Sequence, residues 1–237
     1  MAKPQKRVFL LLVEGLSDEA ALGSIMKEYF KTADIQFVVV HGDITTDDYV
    51  SVENILTKIY QIIENQMQEL KKRYRYTLKD VKQIIHIVDT DGTFVPEALV
   101  IEAQEVLEEK TKYSEDCIET NNKSNIVKRN AKKSGILFKL SRETKINQIP
   151  YRVYFNSCNL EHVLHGELKN FTDKEKEELA DEFAERYDGK VEEFISFISD
   201  PILNVPGTYQ ETWNFIQKEN HSLQRYSNMS LIFKEIV

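Results

Sequence analysis

Two short stretches set carboxylates beside glycine directly after dense apolar runs. In "LLLVEGLSD" they are Glu14, Gly15 and Asp18, and in "IIHIVDTDG" they are Asp89, Asp91 and Gly92. Asp18 falls four residues after Glu14, at the start of the next helix. Asp89 and Asp91 are separated by one residue, so in an extended segment both side chains point the same way. If the two apolar runs are neighbouring strands, four carboxylates meet on one edge and form a hard, oxygen-rich site. Without a counter-charge some of them would stay protonated. Mg²⁺ or Mn²⁺ suits carboxylate and water ligands. One such ion, or a pair about 3.5–4 Å apart, activates a water or hydroxyl and stabilises the charge that develops in phosphoryl transfer. Gly15 and Gly92 allow sharp turns with room for a phosphate. A lone acid at a strand end is ordinarily an N-cap or a solvated charge, and Asp18 would serve a helix N-terminus without any metal. The joint occurrence of E-G-x-x-D and D-x-D-G after two apolar runs is what singles these residues out.

The elements that must carry these residues alternate. Residues 7–13 read as a first strand buried on both faces. Residues 17–31 read as a helix, with Ser17 as N-cap and acids in its first turn. A second strand covers 35–40 and stops at the turn signal His41-Gly42-Asp43. An amphipathic helix runs from Ser51 to about Arg73, and a third strand covers 83–92. Pro96 opens a further helix to about Glu109. The order β-α-β-α-β-α predicts a parallel sheet flanked by helices, with ligands at the carboxyl ends of its strands. Residues 111–147 are polar and uneven. Residues 151–164 read as a fourth strand turning into a helix or loop. The stretch 172–199 is charged and helical, opening on the capping-box pattern Thr172 to Glu175, and 207–237 reads as further helix.

The 237 residues suit one large α/β domain, or a domain with a helical appendage; 41% are hydrophobic and 30% charged. We expect a domain over 1–165 and a helical C-terminal region over 166–237 that could bind a partner. No apolar run approaches the roughly 20 residues of a membrane span. The basic-then-apolar start is too short for a secretory signal, and two cysteines, Cys117 and Cys158, are too few for a disulfide scaffold. These features point to a cytoplasmic protein. The net charge of −8 argues against coating nucleic acid by global attraction. It leaves room for an enzyme that uses a bound cation and a local basic strip.

"LLLVEGLSDEAAL" followed by "IIHIVDTDG" resembles a Toprim domain, the metal-dependent module shared by topoisomerases, primases, an RNA-maturing ribonuclease and the OLD-family nucleases. The resemblance covers roughly residues 6–165 and implies a parallel four-stranded, Rossmann-like sheet flanked by helices. It implies that Glu14 is the general acid/base or a metal-bridging residue and that Asp89 and Asp91 are metal ligands. Topoisomerases and primases commonly continue the second motif with a third acid, where this chain has Thr93. Asp18 as an extra acid is more similar to OLD nucleases and to related Toprim proteins of bacterial anti-phage (abortive infection) systems. In that group a further acid follows the last core strand. "NSCNLEHVLHG" resembles that segment and offers Glu161, with Ser157 a lesser candidate; Glu161 reads equally well as an ordinary first-turn acid. The resemblance also leads us to expect a lysine that stabilises the transition state, for which Lys132 and Lys133 are candidates.

Candidate catalytic residues are therefore Glu14, Asp18, Lys132 and Lys133. Candidate metal ligands are Glu14, Asp18, Asp89, Asp91 and Glu161. The basic run 122–139 could hold a phosphate backbone or be a solvated face. His162 and His165 lack the thiol partners of a closed zinc site, and His86 reads as a core residue. Tyr209, Trp213, Phe215 and Tyr226 fit packing better than base stacking. Without a Walker-type glycine loop, the resemblance implies a Mg²⁺- or Mn²⁺-dependent nuclease acting on DNA or RNA, tRNA included, and controlled by a separate ATPase of ABC or SMC kind. A Toprim module that binds a partner without catalysis, and an RNA-maturation or primase-like enzyme, are the alternatives. An oligomer is compatible with each.

Overall fold

The computed structural model describes residues 7–103 and 110–235. The first apolar run forms β1 (Val8–Val13), in which every residue but Phe9 is fully buried. Gly15 then caps α1 (Leu16–Tyr29). The expected cap at Ser17 is displaced by two residues because Asp18, in the third helical position, reaches back to the turn. Next come β2 (Asp34–Val39) and α2 (Ile55–Tyr74), whose buried Ile55, Ile59, Ile63, Met67 and Leu70 recur every three or four residues. They are followed by β3 (Val81–Asp89).

The chain then departs from the sequence reading. Instead of a long helix after Pro96, a single 3₁₀ turn over Glu97–Leu99 leads into β4 (Val100–Glu102). The rest of that expected helix, 104–109, lies outside the described residues. Strands β5 (Thr111–Tyr113) and β6 (Ile118–Thr120) join β4 in a small three-stranded sheet of order β4-β6-β5. The polar stretch that follows is largely one 18-residue helix, α3 (Lys123–Leu140), capped by Asn122.

A two-residue strand, β7 (Lys145–Ile146), turns back into β8 (Ile149–Asn156). The main sheet has the order β2-β1-β3-β8-β7. Its first four strands run parallel, and β7 pairs antiparallel with β8. The protein is thus α/β with a mixed five-stranded sheet, and the residues following β1, β2, β3 and β8 emerge on one edge.

Helices α4 (Leu160–His165), α5 (Asp173–Tyr187), α6 (Val191–Ile198), α7 (Tyr209–Ile216) and α8 (Ile232–Glu235) complete the chain. They continue the same core rather than standing beside it. One buried cluster takes in β-strand residues such as Val153 and Phe155 together with Phe183, Phe194, Trp213 and Ile232. Trp213 is fully buried with its ring 5.0 Å from Phe155, and Tyr209 donates to the Val153 carbonyl. Ser227 bridges to both Asn156 and Asn204. Among the described residues no helix is long and apolar enough to cross a membrane.

Candidate functional site

Glu14 leaves β1 at the carboxyl edge, and one carboxylate oxygen accepts a hydrogen bond from the Asp89 backbone N–H at 3.3 Å. The ends of β1 and β3 are tied together by that bond. The Asp18 carboxylate accepts from the N–H groups of Glu14 at 3.1 Å and Gly15 at 2.9 Å. It therefore closes the β1–α1 turn while remaining on the same edge.

The Asp-Thr-Asp-Gly loop is held at every residue. The Thr90 N–H donates to the Asn156 carbonyl, and its hydroxyl donates to that of Ser222. Asp91 takes a left-handed φ of 46° and donates its N–H to the Cys158 carbonyl. Gly92 has φ +64°, and a Cβ there would stand 2.5 Å from Leu223. Only glycine satisfies both the dihedral and the contact. Thr93, at the place of a third acid, is buried and donates its hydroxyl to the Asn130 carbonyl on α3 at 2.8 Å. At that place the chain has a structural hydrogen bond to α3.

The two candidate lysines separate. Lys133 is fully buried, and its ammonium pairs with Asp43 at 2.7 Å and with Asp91. Lys132 points away, donating to the backbone carbonyls of Thr46 and Asp47. The helical repeat dictates this, since adjacent residues on a helix face different directions. Most of the basic run is likewise turned to internal use. Arg129 donates to the Tyr113 hydroxyl at 2.6 Å and the Asp91 carbonyl at 2.9 Å, and Lys139 donates to the Val52 carbonyl at 2.7 Å.

Asp43, one partner of Lys133, was legible only as a turn. Its sequence signal is His41-Gly42-Asp43 after an apolar strand, the same syntax as the two acid motifs. Its other oxygen accepts from the Thr45 N–H at 2.8 Å and from the Thr45 hydroxyl. A second cation escaped the sequence entirely. Lys176 on α5 stands 3.5 Å from Glu161 on α4. Ser157 is buried and binds elsewhere, its hydroxyl donating to the His221 carbonyl at 2.9 Å.

The electrostatics follow from this layout. Burial pushes Glu14 and Asp89 well above the usual carboxylate range; Lys133 opposes the rise at Glu14, while neighbouring acids add to it at both. Asp18 is raised by burial to about 6 although the Gly15 N–H favours its ionised form. Burial would raise Asp43 too, but the Lys133 charge and hydrogen bond hold it below its ordinary value. Lys133 is kept protonated, because the charges of Asp91, Asp43 and Glu14 overcome the burial that would discharge it. Lys176 is raised in the same way, Glu161, Asp89 and Asp18 outweighing burial.

Glu14, Asp18, Asp43, Asp89 and Lys176 line an open groove of about 600 Å³, with Gly15 and Gly42 bringing backbone to its wall. Six carboxylates and two ammonium groups thus gather at this edge, with Asp43 and Asp91 ion-paired to Lys133, Glu161 ion-paired to Lys176, and Glu14, Asp18 and Asp89 in no ion pair among the described residues. As placed, no three His, Cys, Asp or Glu side chains among the described residues enclose a metal position. His86 is buried against the Tyr151 hydroxyl at 2.7 Å. His162 is buried and His165 packs against Phe183. Comparison with protein-family models, curated proteins and solved structures gives no match to this chain.

Proposed function

We propose that the chain hydrolyses phosphodiester bonds of nucleic acid with Mg²⁺ or Mn²⁺, on a scaffold of Toprim type. The observation that supports this best is the gathering of Glu14, Asp18 and Asp89 at the carboxyl edge of parallel strands, each held more protonated than an ordinary acid. Such a cluster ionises fully only when a cation joins it. The donor set fits a hard divalent ion, since Glu14, Asp18, Asp43 and Asp89 bring carboxylate oxygens to the groove. Glu14, Asp89 and Asp91 would hold it, with Asp18 and Glu161 beside them. Bound there, the ion supplies Lewis acidity toward a phosphate.

The chain's own groups divide the remaining work. Glu14, ionised once the cation is bound, would align the attacking water and accept its proton. Lys176 faces the groove and offsets negative charge on the phosphate. Lys133 holds Asp91 in place from behind. In the setting the resemblance implies, the nuclease is an anti-phage effector restrained by a separate ATPase, and an ABC- or SMC-type ATPase gene beside this one would support that setting. Purified protein incubated with Mn²⁺ and either plasmid DNA or tRNA tests the chemistry. Cleavage by the native chain and none by Asp89→Ala is the expected result; equal cleavage by both refutes the site.

The pairing of Lys133 with both Asp43 and Asp91 favours a second reading, because it neutralises part of the cluster with no metal at all. On that reading the scaffold binds a partner and does no chemistry. Calorimetry with Mn²⁺ separates the two, since only a metal enzyme gives heat that vanishes with Asp89→Ala or Asp91→Ala.

A further inference from the structure

Strand β2 lies at an open end of the main sheet, with β1 as its one neighbour. The Asp34 and Val40 N–H groups donate to the Arg7 and Val13 carbonyls across that pairing. Backbone direction alternates along a strand, so Ile35, Phe37 and Val39 turn their N–H and C=O groups outward. The Phe37 carbonyl accepts from the Gln66 side chain at a long 3.4 Å. A free edge is ordinarily guarded by proline or by a bulge. Strand β2 reads DIQFVV, has no proline, and pairs without a break from Asp34 to Val39. Along it runs a groove of about 560 Å³, with Glu19 and Lys27 of α1 on one rim and Gln66 and Tyr74 of α2 on the other.

The α1 rim is complementary to itself. Glu19, Gly23 and Lys27 recur every fourth residue and so share one side of the helix. Glu19 is half-buried and Lys27 exposed, and neither is in an ion pair among the described residues. A glycine inside a helix weakens it relative to alanine. Packing within the chain does not call for one here, since a Cβ on Gly23 would meet nothing within 4 Å; close approach by another backbone does. A two-fold axis beside Gly23 lays a second α1 antiparallel to the first. Glu19 of each copy then stands opposite Lys27 of the other, about 6 Å along the helix from the crossing. The same axis lays β2 antiparallel to β2 at about 4.7–4.9 Å, because Gly23 and Phe37 both fall at the middle of their elements. We infer that a second copy of this chain docks here, joining two five-stranded sheets into one through an isologous contact. Opposite charges at equal distances from one centre select a second copy over an unrelated strand or helix. The surface shares no lining residue with the acid groove, so the inference stands apart from the proposed chemistry.

The test is sedimentation equilibrium of the full chain in a metal chelator. A species of twice the 27.7 kDa chain mass is expected. Glu19→Lys and Lys27→Glu each turn both ion pairs into like-charge contacts and should weaken the dimer about tenfold or more. The combined variant restores opposite charges and should return the affinity to near that of the native chain. Gly23→Gln, whose side chain enters open space in the monomer, should leave the circular dichroism unchanged and abolish the dimer. Hydrogen exchange at the Ile35, Phe37 and Val39 amides should slow as the protein concentration rises. Monomer alone at about 0.1 mM overturns the inference. So does a dimer indifferent to the single reversals and to Gly23→Gln, or a combined variant no tighter than the single ones.

Discussion

Lys133 has no contact with bulk water and two carboxylates for partners. Removing one member of such a buried set leaves the others uncompensated, at a cost of about 3–5 kcal/mol. Lys133→Met should therefore lower the melting temperature by roughly 6–20 °C, taking about 2–4 °C per kcal/mol for a chain of this size. Lys132→Ala, which loses only hydrogen bonds to two loop carbonyls, should change it by a few degrees at most; comparable losses in differential scanning calorimetry would contradict the assignment. Asp89 behaves in the opposite sense. Its carboxyl is driven up by burial and by four other acids, so in metal-free protein it opposes folding. Asp89→Asn should raise the melting temperature in chelator, by roughly 1–2 kcal/mol equivalent, while abolishing cleavage. A stabilised but inactive variant is the signature of a residue kept for function.

Within the elements, β3 and β8 meet at His86 and Tyr151, and burial lowers the imidazole pKa from 6.5 to about 3. A depressed value means that the unfolded chain binds the proton more readily. The resulting stability is complete above about pH 6.5 and is lost as the pH falls from there toward 3, at about 1.4 kcal/mol per unit. In urea titrations, His86→Phe should show a shallower fall over this window than the native protein; parallel curves would refute it. The strand ends were legible from sequence because dense apolar runs stopped at acids and glycines. Helix α3 was not, and the reason is physical. Two of its inward positions are Asn130 and Lys133, so the apolar repeat that marks a helix is broken by the very residues that serve the site. Lys176 was hidden for a related reason, lying among alternating charges where nothing local distinguishes an inward lysine from an outward one. The strand β4 replaces an expected helix because Val100 and Ile118 pack in a satellite core, a contact that no local pattern announces.

At the scale of the molecule, the buried cluster runs through the first strand and the last helix alike, so the chain should unfold as one unit. Trp213 fluorescence and far-ultraviolet circular dichroism should give coincident urea transitions; two separated transitions would show that residues 166–235 fold independently. The same continuity fixes an order of events during synthesis. All six acids and both lysines have been made once residue 176 is added. The loop that carries Asp91 cannot be seated until Ser222 takes the Thr90 hydroxyl and Leu223 comes to rest against Gly92. A chain growing from its amino end therefore carries all eight of these charged groups for some fifty residues before the contacts that complete the Asp91 loop can form.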